Sequence, residues 1–422
     1  MAFWDGQEVN RDILEQTNPV FNTAKMTLYQ LAGMGDKDAA AISNKLGLTF
    51  EETQNSKNTT ASPEQILAGT ITMENRFRTA GALAGQSGCP VHVDLPCGYT
   101  PRAIHFARAG KRYIGLDLPA VIEEMGKVYD SLLTDDEKKF VSFRAVDATN
   151  FDTLDRALAD VEGPICITTE GLLMYFTQSE VDVFLDNIRL LLEKHGGCWI
   201  TPDPEITLTY TMALRAVCGD RIKEVLGNAK QQAVDKSGVL VGGNRLLIPV
   251  ADFENGMKSA MKLLAEHGLK AERMILADHM PELASLARIP EQAAQYKAAM
   301  KKCADWKVTL AGPAQKMDTS AVTSKQFDAS AELQDGTMNL RLTGRLDTMT
   351  APGLLAFYEK NREMIQEAVV DCAELDYISS AGLRVLLILH KGCKGGIRLQ
   401  NINTLVLDIL EQTGFDSIFT IE

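Results

Sequence analysis

The sequence predicts a protein of the α/β class that is divided into two domains, and three observations support this. Short apolar runs alternate with helix-spaced segments over residues 71–310, which is typical of a mostly parallel sheet with helices on both faces. Residues 313–326 are short of large hydrophobic side chains and contain Pro, Ser and Thr, a composition typical of a linker. A second and shorter alternation of apolar runs and helix-spaced segments follows these residues. We therefore predict a large domain over 1–312, in which 1–70 form a helical extension, and a small domain over 327–422.

Composition excludes several classes of function. The chain has 422 residues and a net charge of -13, which argues against nucleic acid or an anionic membrane as a partner. It has no apolar run long enough for a membrane span and no signal peptide at its start, so we expect a cytoplasmic protein. The eight cysteines include no CxxC pair, so we expect neither a bound metal nor a disulfide framework.

Acidic residues close the predicted strands of the large domain. The strands are predicted at 91–96, 112–119, 139–148, 164–171 and 196–203, with helices between them such as 102–110 and 179–196. The acids at or near their carboxyl ends are Asp94, Asp117, Asp147, Glu170 and Asp203. Ligands of such sheets bind beyond the carboxyl ends of the strands, so we expect the chemistry at this edge.

The loop after the first strand favours a nucleoside without phosphates. Its sequence, VDLPCGYTPRA, holds one glycine, Gly98, where a dinucleotide dehydrogenase would have three in a GxGxxG pattern. Asp117 closes the next strand, a good position from which to accept hydrogen bonds from both hydroxyls of a ribose. S-adenosylmethionine is such a nucleoside, and an NAD-dependent oxidoreductase is disfavoured.

Six motifs give the large domain a family resemblance. They are NTAKMT (22–27), ENRFRT (74–79), VDLPCGYTPRA (93–103), GLDLP (115–119), RAVDAT (144–149) and TEGLLMYF (169–176). With them, residues 1–310 resemble a class I S-adenosylmethionine-dependent methyltransferase of the leucine carboxyl methyltransferase type, a family that includes bacterial O-methyltransferases of polyketide pathways. The resemblance implies a Rossmann-like sheet and S-adenosylmethionine as the cofactor.

The resemblance also implies roles for single residues. Arg78, with Arg76 as the second choice, would pair with the carboxylate of the cofactor. The remaining cofactor contacts would be Asp94 and Gly98 at the methionine portion, Asp117 at the ribose, Asp147 and the Ala148 backbone at the adenine, and Glu170 beside the methionine amine and the methyl group.

The identity of the methyl acceptor stays open between a carboxyl and a hydroxyl, on a small molecule or on a protein. A carboxylate acceptor is already ionised at neutral pH and needs no base, whereas a phenol or alcohol would need one. The candidates for such a base are Glu170, Asp203, Tyr210 and His105. None of the four stands out, which favours a carboxylate.

The sequence of the small domain predicts a hairpin at Asp335-Gly336 and three helices that alternate with further strands. Through LTGRLDTMTAP (342–352) and VVDCAELDYISSAGLRVLL (369–387), and the closing LVLDILEQTGFDSIF, it resembles the STAS domain of anti-sigma-factor antagonists. That resemblance implies phosphorylation of Ser380, or alternatively Ser379, by a partner kinase, and a protein partner such as an anti-sigma-like factor. The alternative is that the serines only cap the helix that follows them.

Two functions of different classes remain. The first is a bacterial S-adenosylmethionine-dependent O-methyltransferase with a STAS domain that regulates it or recruits a partner. The second is a signalling protein of the antagonist type whose methyltransferase-like domain only binds or senses S-adenosylmethionine.

Overall fold

A computed structural model describes residues 24–48, 62–222, 225, 243–394 and 396–421. The chain forms two compact units, Met1–Leu310 and Ala311–Glu422, and each is described by itself. The sequence places the boundary between the two domains after residue 312. Part of the predicted helical extension, residues 1–23 and 49–61, lies outside the described residues.

Unit 1 contains a seven-stranded sheet in the order β3-β2-β1-β4-β5-β7-β6. The strands β1 to β5 pair in parallel, whereas β7 pairs antiparallel with both β5 and β6. The predicted α/β class is thereby confirmed. The strand bounds are Val91–Asp94 (β1), Arg112–Asp117 (β2), Val141–Ala145 (β3), Ile165–Thr168 (β4), Gly197–Thr201 (β5), Leu269–Ile275 (β6) and Ala304–Leu310 (β7).

The last two strands were not individually predicted from the sequence. The outermost strand, β6, has the sequence LKAERMI, in which one residue, Leu269, is fully buried and three residues are charged. Because β6 pairs on one side only, it needs no continuous apolar run, and its pattern resembles that of an amphipathic surface segment.

Helices cover both faces of the sheet. Their bounds are Lys37–Lys45 (α1), Pro63–Gln86 (α2), Arg102–Arg108 (α3), Pro119–Leu132 (α4), Phe151–Ala157 (α5), Gln178–His195 (α6), Ile206–Cys218 (α7), Phe253–Glu266 (α8), Leu276–His279 (α9) and Ala293–Ala299 (α10), and a further helix spans 24–33. The long α2 begins with a capping box between Ser62 and Gln65 and has Pro63 in its first turn, which together fix its start.

The strand order places a binding crevice at β1. Strands β2 and β3 lie on one side of β1, whereas β4 to β7 lie on the other side. The connections therefore diverge at the carboxyl ends of β1 and β4. This divergence leaves a crevice that neither set of crossover helices covers. The carboxyl ends of the strands are therefore the part of the fold that a ligand would occupy.

Unit 2 contains a six-stranded sheet in the order β13-β12-β11-β10-β9-β8. Its strands are Gln315–Lys316 (β8), Phe327–Gln334 (β9), Thr337–Leu346 (β10), Glu367–Ile378 (β11), Ile397–Gln400 (β12) and Thr420–Ile421 (β13), and its helices are Ala351–Asn361 (α11), Ser380–Gly392 (α12) and Thr404–Thr413 (α13). The predicted hairpin joins β9 to β10 with positive φ at both Asp335 and Gly336, which matches a two-residue turn of type I′.

The short strand β8 lies inside the segment predicted as a linker. Both of its residues are exposed, and it pairs antiparallel with β9 at the edge of the sheet. An exposed edge strand of two residues needs no apolar side chains, which explains why composition alone did not distinguish it from a linker. In the described part of the chain, no helix is both long and apolar enough to cross a membrane.

Candidate functional site

A cavity of about 350 Å³ opens at the carboxyl ends of the strands of unit 1, at the crevice described above. This volume lies in the usual range for small-molecule sites. Its lining includes Gly98, Asp117, Asp147, Ala148 and Glu170 from the residues proposed above, together with Arg76 and Arg102. The apolar part of the lining includes Met73, Leu95, Val121, Val146, Leu172, Met174, Tyr175 and Phe176.

Asp117 is the acid at the end of β2, and its carboxylate is held by the backbone on both oxygens. Gly98 N donates to one oxygen at 2.8 Å and Leu118 N donates to the other at 2.7 Å. A carboxylate offers about four lone-pair positions, so further donors can still be accepted. Burial raises the pKa of Asp117 to about 6, although the two backbone donors oppose this. Gly98 has φ +49, a conformation that favours glycine.

Glu170 follows β4 and lies between two arginines. Arg102 donates to Glu170 Oε1 through Nη2, and Arg76 Nε lies 3.5 Å from Glu170 Oε2. Burial raises the pKa of Glu170 in spite of the two neighbouring guanidinium groups. Arg76 Nε is buried and has no hydrogen-bond partner, so this edge of the cavity holds an unsatisfied cationic donor.

The sequence assigns no role to Arg102, which lines the cavity. It is 3% exposed and connects the ends of β1 and β4, because it contacts both carboxylate oxygens of Asp94 at 3.1 Å and also Glu170. The signal was present in the sequence, since Arg102 stands at the start of the otherwise mostly apolar helix RAIHFAR. A charged residue at a buried position of this kind needs a partner.

Asp94 does not line the cavity, in contrast to the expectation that it would contact the methionine portion. Its carboxylate is 1% exposed and is occupied by Arg102, by His92 Nε2 at 2.8 Å and by the Tyr113 hydroxyl at 2.9 Å. Burial alone would raise the pKa of Asp94, but Arg102 and His92 keep it below its usual value. Asp94 therefore anchors Arg102.

The structure favours Arg76 over Arg78 at the cavity. The two residues are two positions apart on α2, which places them on nearly opposite faces of the helix. Arg76 lines the cavity, whereas Arg78 donates to Glu74 Oε1 at 2.8 Å and lies 3.6 Å from Asp36. The charge of Arg78 is thus neutralised away from the cavity, so the geometry favours Arg76, the second choice made from the sequence.

Asp147 and Ala148 line the cavity after β3, where the sequence places them. The Asp147 carboxylate accepts hydrogen bonds from Thr149 N at 2.8 Å and from the Thr149 hydroxyl at 2.7 Å. The Ala148 carbonyl accepts from Asn187 Nδ2 at 3.0 Å. These contacts fix the loop after β3 at the rim of the cavity.

The other three candidate bases lie outside the cavity lining. Asp203 is fully buried and accepts hydrogen bonds from Gly171 N, Leu172 N and Leu173 N at 2.7 to 3.0 Å, so it shapes the loop that carries Glu170. Tyr210 packs on the apolar cluster around α7, where burial raises its pKa. His105 lies 3.4 Å from Asp38 on another face of the domain.

Two further groups of titratable residues are the Cys97 thiol and a cluster at Asp36, Asp38 and His105. Burial raises the pKa of Cys97 well above its usual value, so this cavity residue is a thiol at neutral pH. Among the described residues, Asp36, Asp38 and His105 have ligand atoms near enough to one another for a metal ion. Arg78 and Arg108 already pair with the two carboxylates there.

In unit 2, the two candidate serines have different environments. Ser379 is the N-cap of α12, and its hydroxyl accepts a hydrogen bond from Gly382 N at 3.4 Å. Ser380 is the first residue of the helix and is exposed. Of the two residues, Ser380 is the more exposed, since Ser379 is half-buried.

Comparison with known proteins identifies the C-terminal unit. Residues 328–422 match the family model of the STAS domain, so the chain carries a STAS domain at its C-terminus. An anti-sigma factor antagonist from Mycobacterium paratuberculosis is similar to it in structure, at 20% identity and a TM-score of 0.22, with 24% of this chain and 87% of that chain covered.

The structures similar to unit 1 are methyltransferases. An O-methyltransferase family protein from Burkholderia thailandensis has 12% identity and a TM-score of 0.33, with 67% of this chain and 71% of that chain covered. Human N-acetylserotonin methyltransferase in complex with S-adenosylmethionine has 10% identity and a TM-score of 0.31, with 67% and 69% covered. No curated protein matches the sequence.

Proposed function

We propose that unit 1 is an S-adenosylmethionine-dependent O-methyltransferase. The observation that supports this is the cavity at the carboxyl ends of the strands, in which Asp117, Glu170 and Arg76 are brought together. The bound cofactor would supply a methyl group on a sulfonium, so that an acceptor oxygen would attack the methyl carbon in line while the C–S bond breaks and the neutral thioether leaves. Such a reaction depends mainly on positioning.

The residues of the cavity fit that cofactor group by group. Asp117 has acceptor positions left for the two hydroxyls of a ribose. The unsatisfied Nε of Arg76 suits a carboxylate, and the Glu170 carboxylate suits an ammonium group. Asp147 and Ala148 would face the adenine edge from the loop after β3.

The same geometry limits how an acceptor is activated. Of the four candidate bases, Glu170 alone lines the cavity, and it is engaged by Arg102. Proton uptake by Glu170 would break its ion pair with Arg102, so the arrangement favours an acceptor that positioning alone can activate, such as a carboxylate. A hydroxyl acceptor would require Glu170 to leave Arg102.

Isothermal titration of the whole chain with S-adenosylmethionine and its demethylated product tests the proposal. Asp117→Asn keeps the shape of the side chain but removes its charge, so we expect the affinity to fall about tenfold to a hundredfold. Asp152→Asn, an exposed acid of α5, is the matched control and should bind normally. Absence of binding by the unaltered chain would refute the proposal.

Binding without turnover would favour the alternative, a signalling protein that senses the cofactor. A screen of carboxylate and hydroxyl acceptors, with the demethylated product as the readout, separates the two. Product formed with any acceptor establishes an enzyme. The screen also decides between the two acceptor classes.

We further propose that the STAS domain recruits a protein partner and that phosphorylation of Ser380 controls this recruitment. A phosphate at Ser380 would be stabilised by the N-terminus of α12 and would add about two negative charges to an exposed surface. Incubation with cell extract and ATP, followed by mass spectrometry, should place the phosphate on Ser380. Ser380→Ala should abolish the signal and Ser417→Ala, at another exposed serine, should retain it. Modification of Ser379 instead would contradict the assignment.

A further inference from the structure

Two buried thiols of unit 1 lie opposite each other on neighbouring strands. Cys166 on β4 and Cys198 on β5 are partners in the register of the parallel sheet, so their side chains project from the same face. The two Sγ atoms are 3.9 Å apart. Adjacent strands are about 4.8 Å apart, which lies in the Cα separation of about 4.4–6.8 Å that disulfides span. A bond between these thiols therefore needs side-chain rotation more than backbone movement.

The surroundings of the two thiols shift their pKa values in opposite directions, so Cys198 is suited to act as the nucleophile and Cys166 to carry the proton. The Cys166 thiol lowers the pKa of Cys198 to about 7, although burial opposes this, and the ammonium group of Lys307 lowers it further. Hydrogen bonding with Cys198, together with burial, raises the pKa of Cys166 well above its usual value. At neutral pH a substantial part of Cys198 is thus a thiolate, which is the reactive form, while Cys166 keeps its proton.

We propose that Cys166 and Cys198 form a site of oxidative modification, at which a peroxide converts the two thiols into a disulfide between β4 and β5. The Cys198 thiolate attacks one peroxide oxygen, the O–O bond breaks, and a sulfenic acid and a protonated leaving oxygen result. Cys166 then attacks the sulfenic sulfur, and its proton leaves with the displaced hydroxide as water. Both sulfurs are oxidised by one electron each, and the peroxide is reduced by two.

Access to this pair is restricted to small oxidants. Cys166 and Cys198 are 1% and 2% exposed, but Cys89 beside Cys198 is only half-buried. Cys89 thus connects the pair to a partly exposed position, and the proposal requires an oxidant as small as a peroxide. None of the three cysteines lines the cavity, so the proposal stands or falls independently of the methyltransferase proposal.

Hydrogen peroxide treatment of the whole chain tests the inference. After free thiols are blocked, digestion with trypsin without reduction should release a peptide pair joined through Cys166 and Cys198, since Arg189 and Lys194 separate them in sequence. The joined pair should be lighter than the two free peptides by two hydrogen atoms. It should disappear in Cys198→Ser and persist in Cys393→Ser, a buried cysteine of unit 2.

Two further measurements make the result decisive. In a variant that combines Cys89→Ser with Cys166→Ser, Cys198 should retain oxygen as sulfenic or sulfinic acid, because neither neighbouring thiol is left to resolve it. The rate of linkage in the unaltered chain should fall about tenfold between about pH 8 and about pH 6, against about a hundredfold for a thiol of ordinary pKa. A link through Cys89, or unmodified Cys166 and Cys198 in peroxide-treated folded protein, would overturn the proposal.

Discussion

At the scale of single residues, the cavity depends on charges that are buried and matched to one another. Asp94, Arg102 and Glu170 form a continuous chain of ion pairs from the end of β1 to the end of β4. Asp117 differs from them, because its partners are two backbone N–H groups and the Cys97 thiol, and no cation is among them. Its raised pKa follows from that difference.

The raised pKa of Asp117 predicts a pH dependence of cofactor binding. Ribose hydroxyls would donate to the ionised carboxylate, so binding favours the charged form and is strongest above the pKa of about 6. Below it the affinity should fall, by up to about tenfold per pH unit. Titration calorimetry over this range measures the effect, and Asp117→Asn should remove this pH dependence. An affinity of the unaltered chain that is constant through pH 6 would contradict the ribose assignment.

The buried position of Arg102 predicts a large effect on stability. Arg102→Leu would leave Asp94 and Glu170 without their shared cation, and we expect the free energy of unfolding to fall by about 3–5 kcal/mol. Arg108→Leu, on the same helix with a side chain 55% exposed, is the control and should cost about 0–1 kcal/mol. Denaturant unfolding measures both. A loss for Arg102→Leu that is as small as the loss for the control would show that the buried ion pairs are not important for stability.

At the scale of elements, the segment between β4 and α6 is what places Glu170 in the cavity. Asp203 binds three consecutive backbone N–H groups of this segment, and Asn244 donates to its carbonyls at Leu173 and Phe176 at 2.9 and 3.0 Å. The segment contains a short 3-10 helix, Leu173–Tyr175, and is otherwise without regular structure, so these side chains satisfy groups that a longer helix would satisfy by itself.

Removal of the charge on Asp203 tests this positioning role. Asp203→Asn leaves one acceptor oxygen for three N–H groups, so we expect a loss of about 1.5–3 kcal/mol in the free energy of unfolding. Cofactor affinity should also fall, since the displaced segment lines the cavity. Asp278→Asn, at an exposed acid, is the control and should change neither quantity. A loss of turnover with normal stability and affinity would instead indicate that Asp203 acts chemically.

At the scale of the whole molecule, each unit has a hydrophobic core of its own. The core of unit 2 is formed by residues from Val322 to Phe419, and it includes Leu340, Val370 and Leu386. Its sheet is complete within the unit. Because its core is contiguous and all of its strand pairings lie within the unit, unit 2 meets the requirements for folding alone.

Residues 311–422 expressed alone should therefore fold and unfold cooperatively. Leu386→Ala, at a site 1% exposed, should lower the free energy of unfolding by about 2–5 kcal/mol. Leu405→Ala, at a site 53% exposed, should have little effect. Thermal unfolding followed by circular dichroism measures the three proteins. A gradual loss of signal in the unaltered fragment would show that the unit does not fold by itself.

The sequence by itself determined the α/β class, the alternation of strands and helices, and the acids at the strand ends. These are local properties, because the hydrophobic period and the turn residues are read from neighbours in the chain. It also determined the hairpin at Asp335-Gly336, whose two-residue turn requires positive φ at both positions.

The tertiary structure alone decided which charged residues face the cavity. Asp94, Asp117 and Asp203 look equivalent in sequence, yet Asp94 faces Arg102, Asp203 faces backbone N–H groups, and Asp117 lines the cavity. Arg76 and Arg78 differ only in the face of α2 on which each lies. The pairing of Cys166 with Cys198 depends on a strand register that links residues far apart in the chain. Such contacts are set by packing between elements, which no local pattern encodes.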